Sequence, residues 1–186
     1  PRPSGALRPQ LRELVAGYLA LQADLSKDRA SGAQRATGLL ATLAKIDLEG
    51  LAPAARAAWE RERAPALRAL LARLGQAEGI DAERVVFHEL SRSLDALLSE
   101  VGVPDGLTLR RFRCPMAFGN TGANWLQTAE RTENPYFGAS MYRCGSQLNV
   151  LTGPSPPSET WTCVMHAEIR SPAPGKCPKC GMMLVP

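Results

Sequence analysis

The last 26 residues constrain the fold of this chain most, because they are too few to bury a hydrophobic core of their own. Residues 161–186 read WTCVMHAEIRSPAPGKCPKCGMMLVP and hold three cysteines, one histidine and three methionines. Cys163 and His166 have CxxH spacing, and Cys177 and Cys180 have CxxC spacing, so each pair can close a tight turn around one ion. The segment therefore predicts a tetrahedral metal site with three thiolates and one imidazole.

The choice of ion stays open between zinc and copper(I). Three thiolates and an imidazole form a familiar structural zinc site. Copper(I), in contrast, prefers thiolates and thioethers. Methionines lie near the predicted ligands in the sequence, so a copper(I) site could have Met165, Met182 and Met183 as additional soft ligands. Both metals remain candidates on this evidence.

A second group of sulfur atoms lies upstream, in two short pairs. Cys114 is followed by Met116, and Met141 is followed by Cys144. The two pairs predict either a second soft-metal site or a Cys114–Cys144 disulfide, which would stabilise the fold by roughly 3 to 4 kcal/mol in the chain-entropy model. A disulfide would leave three of the five cysteines for the C-terminal site, which is the number that site needs.

The first hundred residues predict a helical fold. Apolar residues recur at helical spacing in four segments, and Pro65 is expected to kink or break the third, whereas Asp81 is expected to cap the fourth and Gly102 to end it. The predicted helices cover residues 11–25, 30–46, 53–74 and 81–101. We therefore predict an all-α fold, an antiparallel four-helix bundle.

The sequence pattern changes after Pro104, because Gly, Asn and Pro interrupt the apolar runs from there on. We expect an irregular C-terminal wrap over one end of the bundle, with a short helix over residues 123–130 and a turn at the NPYFG motif that starts at Asn134. The predicted domains are the bundle with its sulfur-bearing wrap, 1–151, a polar Pro-rich linker, 152–159, and a metal-binding knuckle with little regular structure, 160–186.

Composition excludes two classes of partner. The net charge of +4 comes mostly from dispersed arginines without interleaved aromatic residues, so we expect no nucleic-acid binding. No apolar run approaches the roughly 20 residues that a membrane span requires. An apolar leader is also absent from the start of the sequence, and we expect that a signal peptide has been removed.

Two motifs carry a resemblance to known families. CPMAFGNTGANWLQ and NPYFGASMYRCG, within residues 114–145, resemble a helical domain of unknown function that occurs with periplasmic adaptor subunits of heavy-metal efflux pumps. The tail resembles the heavy-metal-binding domain of the same adaptors, whose usual pattern is close to YTCPMHPEV followed by PGKCPKCGMDLVP. Val164 and Ala167 replace two prolines of that pattern, and Met183 replaces an aspartate.

The resemblance implies that Cys163, His166, Cys177 and Cys180 bind a heavy metal in the periplasm. It favours copper as the cargo, bound for metal handling or for delivery to the periplasmic subunits of an efflux pump. One alternative is a structural zinc knuckle on a helical module that docks a partner protein. The other is a thiol oxidoreductase that uses the CxxC pair, although no helix is predicted to follow that pair.

We expect that the protein is not an enzyme. His166 and Glu168 followed by CPKC resemble the signature of zinc deaminases, in which a glutamate acts beside a zinc-bound water. Here Cys163 would close the fourth position of the metal, which leaves no place for that water. The predicted helical fold also lacks the α/β sheet that carries the deaminase motifs.

Overall fold

The computed structural model describes residues 7–48, 53–154, 161–171 and 173–185. The chain forms two compact units, which divide between residues 154 and 155. The first unit contains the helices and a three-stranded sheet, and the second contains a two-stranded sheet. Each unit is described separately below.

Five helices precede the first strand, and the amphipathic spacing of their leucines explains why their apolar faces are buried. Helices α1, α2, α4 and α5 pack in sequence against one another, with buried residues such as Leu21, Leu43, Leu71 and Phe87 between them. The helices are α1 (Leu7–Leu25), α2 (Gly32–Ala44), α3 (Pro53–Ala58), α4 (Ala64–Gly75) and α5 (Ile80–Val101). All four predicted helical segments are therefore helical.

The third predicted helix is interrupted, as Pro65 suggested. A π-helical turn, Trp59–Arg63, separates α3 from α4, and Pro65 lies in the first turn of α4. Proline lacks the backbone donor that an unbroken helix would need at this position. Gly102 ends α5 as predicted, with a left-handed φ of 88°, but the N-cap of α5 is Gly79, so the prediction that Asp81 caps this helix is wrong.

The prediction of an all-α fold is also wrong. The wrap after Pro104 contains an antiparallel sheet of order β2-β1-β3, made of β1 (Thr108–Cys114), β2 (Ala123–Gln127) and β3 (Ser146–Thr152). Arg111 lies opposite Leu126 on one side and Asn149 on the other. The described part of the chain is therefore a mixed fold of helices and strands, and the helix predicted for residues 123–130 is instead largely strand β2.

The arginines of β1 make its sequence look polar, so the sequence alone does not indicate a strand there. The buried positions Leu109, Phe112 and Cys114 do not alternate regularly. Arg111, which lies between Leu109 and Phe112, is half-buried, and its guanidinium pairs with Asp95 on α5. A long arginine side chain can cover apolar surface while its charged end finds a partner, so a sequence that looks polar still forms the central strand.

Two tyrosine hydroxyls form hydrogen bonds with backbone groups on the free edge of β2. The backbone N–H of Leu126 donates to the hydroxyl of Tyr18 at 3.0 Å, and the hydroxyl of Tyr136 donates to the carbonyl of Asn124 at 2.6 Å. Tyr18 is on α1 and also shares a 2.8 Å hydrogen bond with Ser91 on α5. The helices and the sheet are thereby joined by buried hydrogen bonds as well as by apolar contact, and burial raises the pKa of Tyr18.

Replacing Tyr18 with phenylalanine is expected to destabilise the first unit by about 1 to 3 kcal/mol, because the buried N–H of Leu126 loses its acceptor. Urea unfolding followed by far-UV circular dichroism would measure the change in free energy of unfolding. Ser91→Ala is the matched control, since it removes one partner of the same hydroxyl and leaves the bond to Leu126 in place. An equal effect of the two substitutions would contradict the role assigned to the Leu126 bond.

The NPYFG motif forms the predicted turn at Asn134. Asn134 is fully buried, and its side-chain oxygen accepts from the backbone N–H of Tyr136 at 2.8 Å. Gly138 has a left-handed φ of 55° and lies so close to Asp28 that a Cβ would be 1.9 Å from the carboxylate oxygen. The backbone N–H of Ala139 donates to the other oxygen of Asp28 at 2.8 Å. The motif is therefore fixed against the end of α1.

The second unit has little regular structure. Strands β4 (Trp161–Thr162) and β5 (Arg170–Ser171) pair antiparallel, and single bridges join Thr162 to Val185 and Lys176 to Met183. Its buried core consists of Cys163, Cys177 and Leu184. Two of these three buried side chains are predicted metal ligands.

None of the helices in the described residues combines the length and the apolar content that crossing a membrane requires.

Candidate metal centre

The structure brings together the four residues that the sequence predicts as metal ligands. The ligand atoms of Cys163, His166, Cys177 and Cys180 all lie within 4.8 Å of one another. The Nδ1 atom of His166 is 3.8 Å from the sulfur of Cys163 and 3.7 Å from the sulfur of Cys177. The sulfur atoms of Cys163 and Cys180 are 3.5 Å apart.

Local backbone turns position the four side chains. In the CxxH turn, the N–H of His166 donates to the carbonyl of Cys163 at 3.2 Å. In the CxxC turn, the N–H of Gly181 donates to the carbonyl of Cys177 at 2.8 Å, and Gly181 has a left-handed φ of 73° that favours glycine. The bridge between Thr162 and Val185 then holds the two turns side by side.

The spacing of the donor atoms fits one tetrahedral ion. With a metal–sulfur distance of about 2.3 Å, two thiolates of a tetrahedral site lie about 3.8 Å apart. The sulfur–sulfur separation given above, 3.5 Å, and the two nitrogen–sulfur separations, 3.7 and 3.8 Å, are close to that distance. Thiolate and imidazole are also donors that zinc and copper accept, so the donor set suits a soft or borderline metal.

The ligands differ strongly in their exposure. Cys163 and Cys177 are 1% and 2% exposed, His166 is half-buried, and Cys180 is exposed. The predicted additional soft ligands are all exposed, Met165 at 69%, Met182 at 46% and Met183 at 60%. One side of the cluster is therefore shielded by protein, whereas the side of Cys180 is open.

Electrostatics in the cluster favour a thiolate at Cys163. Burial raises the pKa of this thiol, but hydrogen bonds from His166, from the backbone at Met165 and from the other two thiols outweigh that effect and lower it to about 6. At Cys180 a backbone hydrogen bond at Met182 lowers the pKa, but partial desolvation and the bonds to the other two thiols together outweigh it, so the pKa of this thiol is raised. The first negative charge of the cluster is therefore expected on the buried Cys163.

An ion pair that no spacing rule predicts connects the two turns. Lys179, inside the CxxC turn, donates to the carboxylate of Glu168 at 2.7 Å, and both side chains are more than half exposed. The pairing lowers the pKa of Glu168. A general acid beside a metal-bound water needs a raised pKa, so this environment does not favour the deaminase role that the HxE spacing suggested.

The second sulfur group lies in the first unit. The sulfur atoms of Cys114 and Cys144 are 3.7 Å apart, and both cysteines are free thiols. Cys114, the last residue of β1, is fully buried, and Cys144 is half-buried. Met116 and Met141 are 45% and 36% exposed. The structure thus brings the two cysteines together, as the sequence suggested.

Comparison with known proteins identifies both parts of the chain. A family model described as "Protein of unknown function (DUF3347)" matches residues 14–106, which is half of the 186-residue chain, and the chain belongs to that family. A second family model, "Heavy metal binding domain", matches residues 160–186. The four clustered ligands all lie within the second match.

The curated proteins include a relative with a short similar stretch. A copper-transporting P-type ATPase from Rhizobium leguminosarum bv. viciae is 54% identical to this chain over 33 residues. The similar stretch is 18% of this chain and 4% of the ATPase, so the chain spans a very small part of that relative's length. No solved structure matches the chain.

The two families confirm the resemblance predicted from the sequence, but the match to the helical family lies elsewhere in the chain than the motifs that suggested it. The motifs cover residues 114–145, whereas the family match covers the helices and ends at residue 106. The sulfur pair of Cys114 and Cys144 lies outside both matched ranges.

Proposed function

We propose that this protein binds copper or a related soft heavy metal as cargo, and that Cys163, His166, Cys177 and Cys180 are the ligands. The observation that carries the proposal is the cluster itself, because four donors of suitable chemistry lie within 4.8 Å inside a heavy-metal-binding domain. Binding would displace the remaining thiol protons and place the ion between the CxxH and CxxC turns.

Copper is supported by the surroundings of the cluster and by the relative. Thioethers are soft ligands that favour copper(I) over zinc, and three exposed methionines lie within two or three residues of ligand cysteines. The relative with 54% identity over 33 residues is named for copper transport, and its similarity supports the metal-binding part of this chain. An exposed ligand at Cys180 also suits a cargo ion that must leave the protein.

The place of action is proposed from the resemblance to adaptor-associated domains. We infer a periplasmic protein that handles the metal or delivers it to periplasmic subunits of a heavy-metal efflux pump. In this proposal, residues 160–186 carry the ion, and the first unit is the helical domain to which they are attached. Both matched families are consistent with a binding protein, which supports a role without catalysis.

A structural zinc site is the second candidate, and the small core of the second unit favours it. Cys163, Cys177 and Leu184 are the core of this unit, so without a metal little apolar surface would stabilise it. Small zinc modules of this kind are commonly unfolded without their ion. The two candidates differ in which metal is bound more tightly and in how readily that metal leaves.

Titration of the reduced, metal-free protein separates the candidates. If copper is the cargo, one Cu+ is expected to bind at the four ligands, to displace bound Zn2+, and to pass to a competing Cu+ chelator within seconds to minutes. If zinc is structural, Zn2+ is expected to order residues 160–186, and its removal to unfold them. Elemental analysis of the purified protein and near-ultraviolet absorption of the copper–thiolate bonds provide the readouts.

A result that would end the copper proposal is a reduced protein that binds Zn2+ at these ligands but takes up no Cu+ at equal concentration. A thiol oxidoreductase would instead reduce a disulfide substrate repeatedly without any metal, which the same preparation can test.

A further inference from the structure

Two thiols in the first unit meet although they are 30 residues apart in the chain. Cys114 ends β1, and Cys144 lies between the 3-10 turn Gly138–Met141 and β3. Their sulfur atoms are 3.7 Å apart, and the pair belongs to the unit that does not contain the four-ligand cluster. The pair therefore represents a separate candidate site.

The backbone around Cys144 holds its thiol against β1. The carbonyl of Cys144 accepts a 3.0 Å hydrogen bond from the buried amide of Asn134. At the next residue, Gly145, a Cβ would lie 2.8 Å from the ring of Trp125 and 3.0 Å from the carbonyl of Arg113. With its left-handed φ of 123°, Gly145 permits the close approach of the two chain segments that carry the thiols.

The separation of the thiols suits a shared ion. It is well above the roughly 2.05 Å of a disulfide bond, and it resembles the 3.5 Å between Cys163 and Cys180. With metal–sulfur distances of about 2.3 Å, two sulfurs 3.7 Å apart enclose an angle of about 107° at the ion. Such a bent pair leaves room for a third ligand.

Thioethers that could supply the third ligand lie close by in the chain. Met116 follows Cys114 by two residues. Met141 precedes Cys144 by three residues in one turn, in which the N–H of Cys144 donates to the carbonyl of Met141 at 2.9 Å. Both methionines are partly exposed, at 45% and 36%, although methionine is ordinarily a core residue. Two thiolates and a thioether form a ligand set that selects copper(I).

We propose that Cys114 and Cys144 form a second binding site for copper(I), completed by the thioether of Met116 or Met141. Binding is an exchange without oxidation: Cu+ enters, two Cu–thiolate bonds and one Cu–thioether bond form, and the two thiols release two protons to water. The site does not depend on the C-terminal cluster, so the whole chain would bind two Cu+ ions.

The test uses the full chain in which the C-terminal ligands are replaced, Cys163→Ser, Cys177→Ser and Cys180→Ser. This variant, reduced and kept free of oxygen, is titrated with Cu+ against a coloured Cu+ chelator. We expect one Cu+ to be retained per chain. The further change Cys144→Ser is expected to weaken that binding by at least about 100-fold. Loss of an outer-shell partner weakens metal binding by up to about 100-fold, and loss of a direct ligand should weaken it at least as much. Circular dichroism verifies that each variant is folded, and the half-buried Cys144 is chosen because Cys114 is fully buried.

Three further variants on this background examine the thioethers. Met116→Leu and Met141→Leu are tested singly, and one of them is expected to weaken Cu+ binding by about 10-fold or more. Val150→Ala is the control, because it truncates an exposed side chain without sulfur in the same unit and should leave the affinity unchanged.

Several outcomes would overturn the proposal. One is a triple-serine chain that takes up no Cu+, and another is uptake that survives Cys144→Ser. A third is a Cys114–Cys144 disulfide that forms when the reduced protein is exposed to oxidant in the presence of Cu+. Failure here is distinguishable from failure of the C-terminal site, because the variant Cys114→Ser, Cys144→Ser should still bind one Cu+ if only the second site is absent.

Discussion

Replacing Cys177 and Cys180 together with serine is expected to abolish metal binding by residues 160–186 while the first unit stays folded. The double change removes the CxxC half of the cluster, including its exposed ligand. Structural sites of this type bind zinc with about 10 to 16 kcal/mol, so loss of two of four ligands should weaken binding by at least about 1,000-fold. Competition titration measures the affinity, and far-UV circular dichroism follows the helices.

Lys179→Ser is the matched control for this prediction. It lies between the two cysteines, is exposed, and pairs with Glu168 on the neighbouring turn. Because an exposed ion pair contributes at most about 1 kcal/mol, the metal affinity should change by no more than about fivefold. Unchanged metal binding in the double-serine chain would contradict the assignment of the ligands.

Trp125→Ala is expected to destabilise the first unit by about 3 to 5 kcal/mol, which is the usual cost of deleting a buried tryptophan. Trp125 is 1% exposed and joins several parts of the fold. Its ring lies 5.5 Å from that of Phe112 on β1 and 5.8 Å from that of Tyr136, and its indole N–H donates to Gln127 at 2.8 Å. Urea unfolding followed by circular dichroism gives the free energy of unfolding.

Leu148→Ala on strand β3 is the comparison for that variant. Leu148 is 51% exposed, so its truncation should change the free energy of unfolding by less than about 0.5 kcal/mol. If both variants unfolded at the same urea concentration, the ring of Trp125 would not be the packing centre that its contacts indicate.

The helices could be predicted from the sequence because their stability comes from a local and regular pattern. Leucines at positions such as 67, 71 and 74 recur with the period of a helix, and all three are buried. Pro65 and Gly102 act through their own backbone geometry, so the break before α4 and the end of α5 were also predictable. The predicted N-cap of α5, Asp81, lies two residues from the observed one, Gly79, and a difference of this size is common because helix ends fray.

The sheet could not be predicted because its stability is not local. Strand β1 is sandwiched between partners that lie up to 44 residues away, as in the pairing of Thr108 with Thr152. The polar appearance of β1 depends on Arg111, whose partner Asp95 belongs to α5. Likewise β2 gains hydrogen bonds from Tyr18, 108 residues before Leu126. No window of the sequence contains these partners.

The candidate metal centre was more accessible to prediction than the sheet. CxxH and CxxC spacings are short-range features, and the four residues that they select lie together in the structure. The order of exposure among these ligands depends on how the two turns meet, which spacing does not encode. Whether Cys163, His166, Cys177 and Cys180 bind an ion remains a prediction, and so does the identity of that ion.

The two edges of the three-stranded sheet bear on whether a strand from another chain can pair with the first unit. An open strand edge is a template for aggregation. On the edge of β2, the N–H of Leu126 and the carbonyl of Asn124 are bonded by Tyr18 and Tyr136. The edge of β3 carries Leu148, which has no partner on β1 because the pairing shifts between Arg111 and Phe112. This bulge interrupts the regular spacing that an incoming strand would need, so both edges resist strand addition by different means.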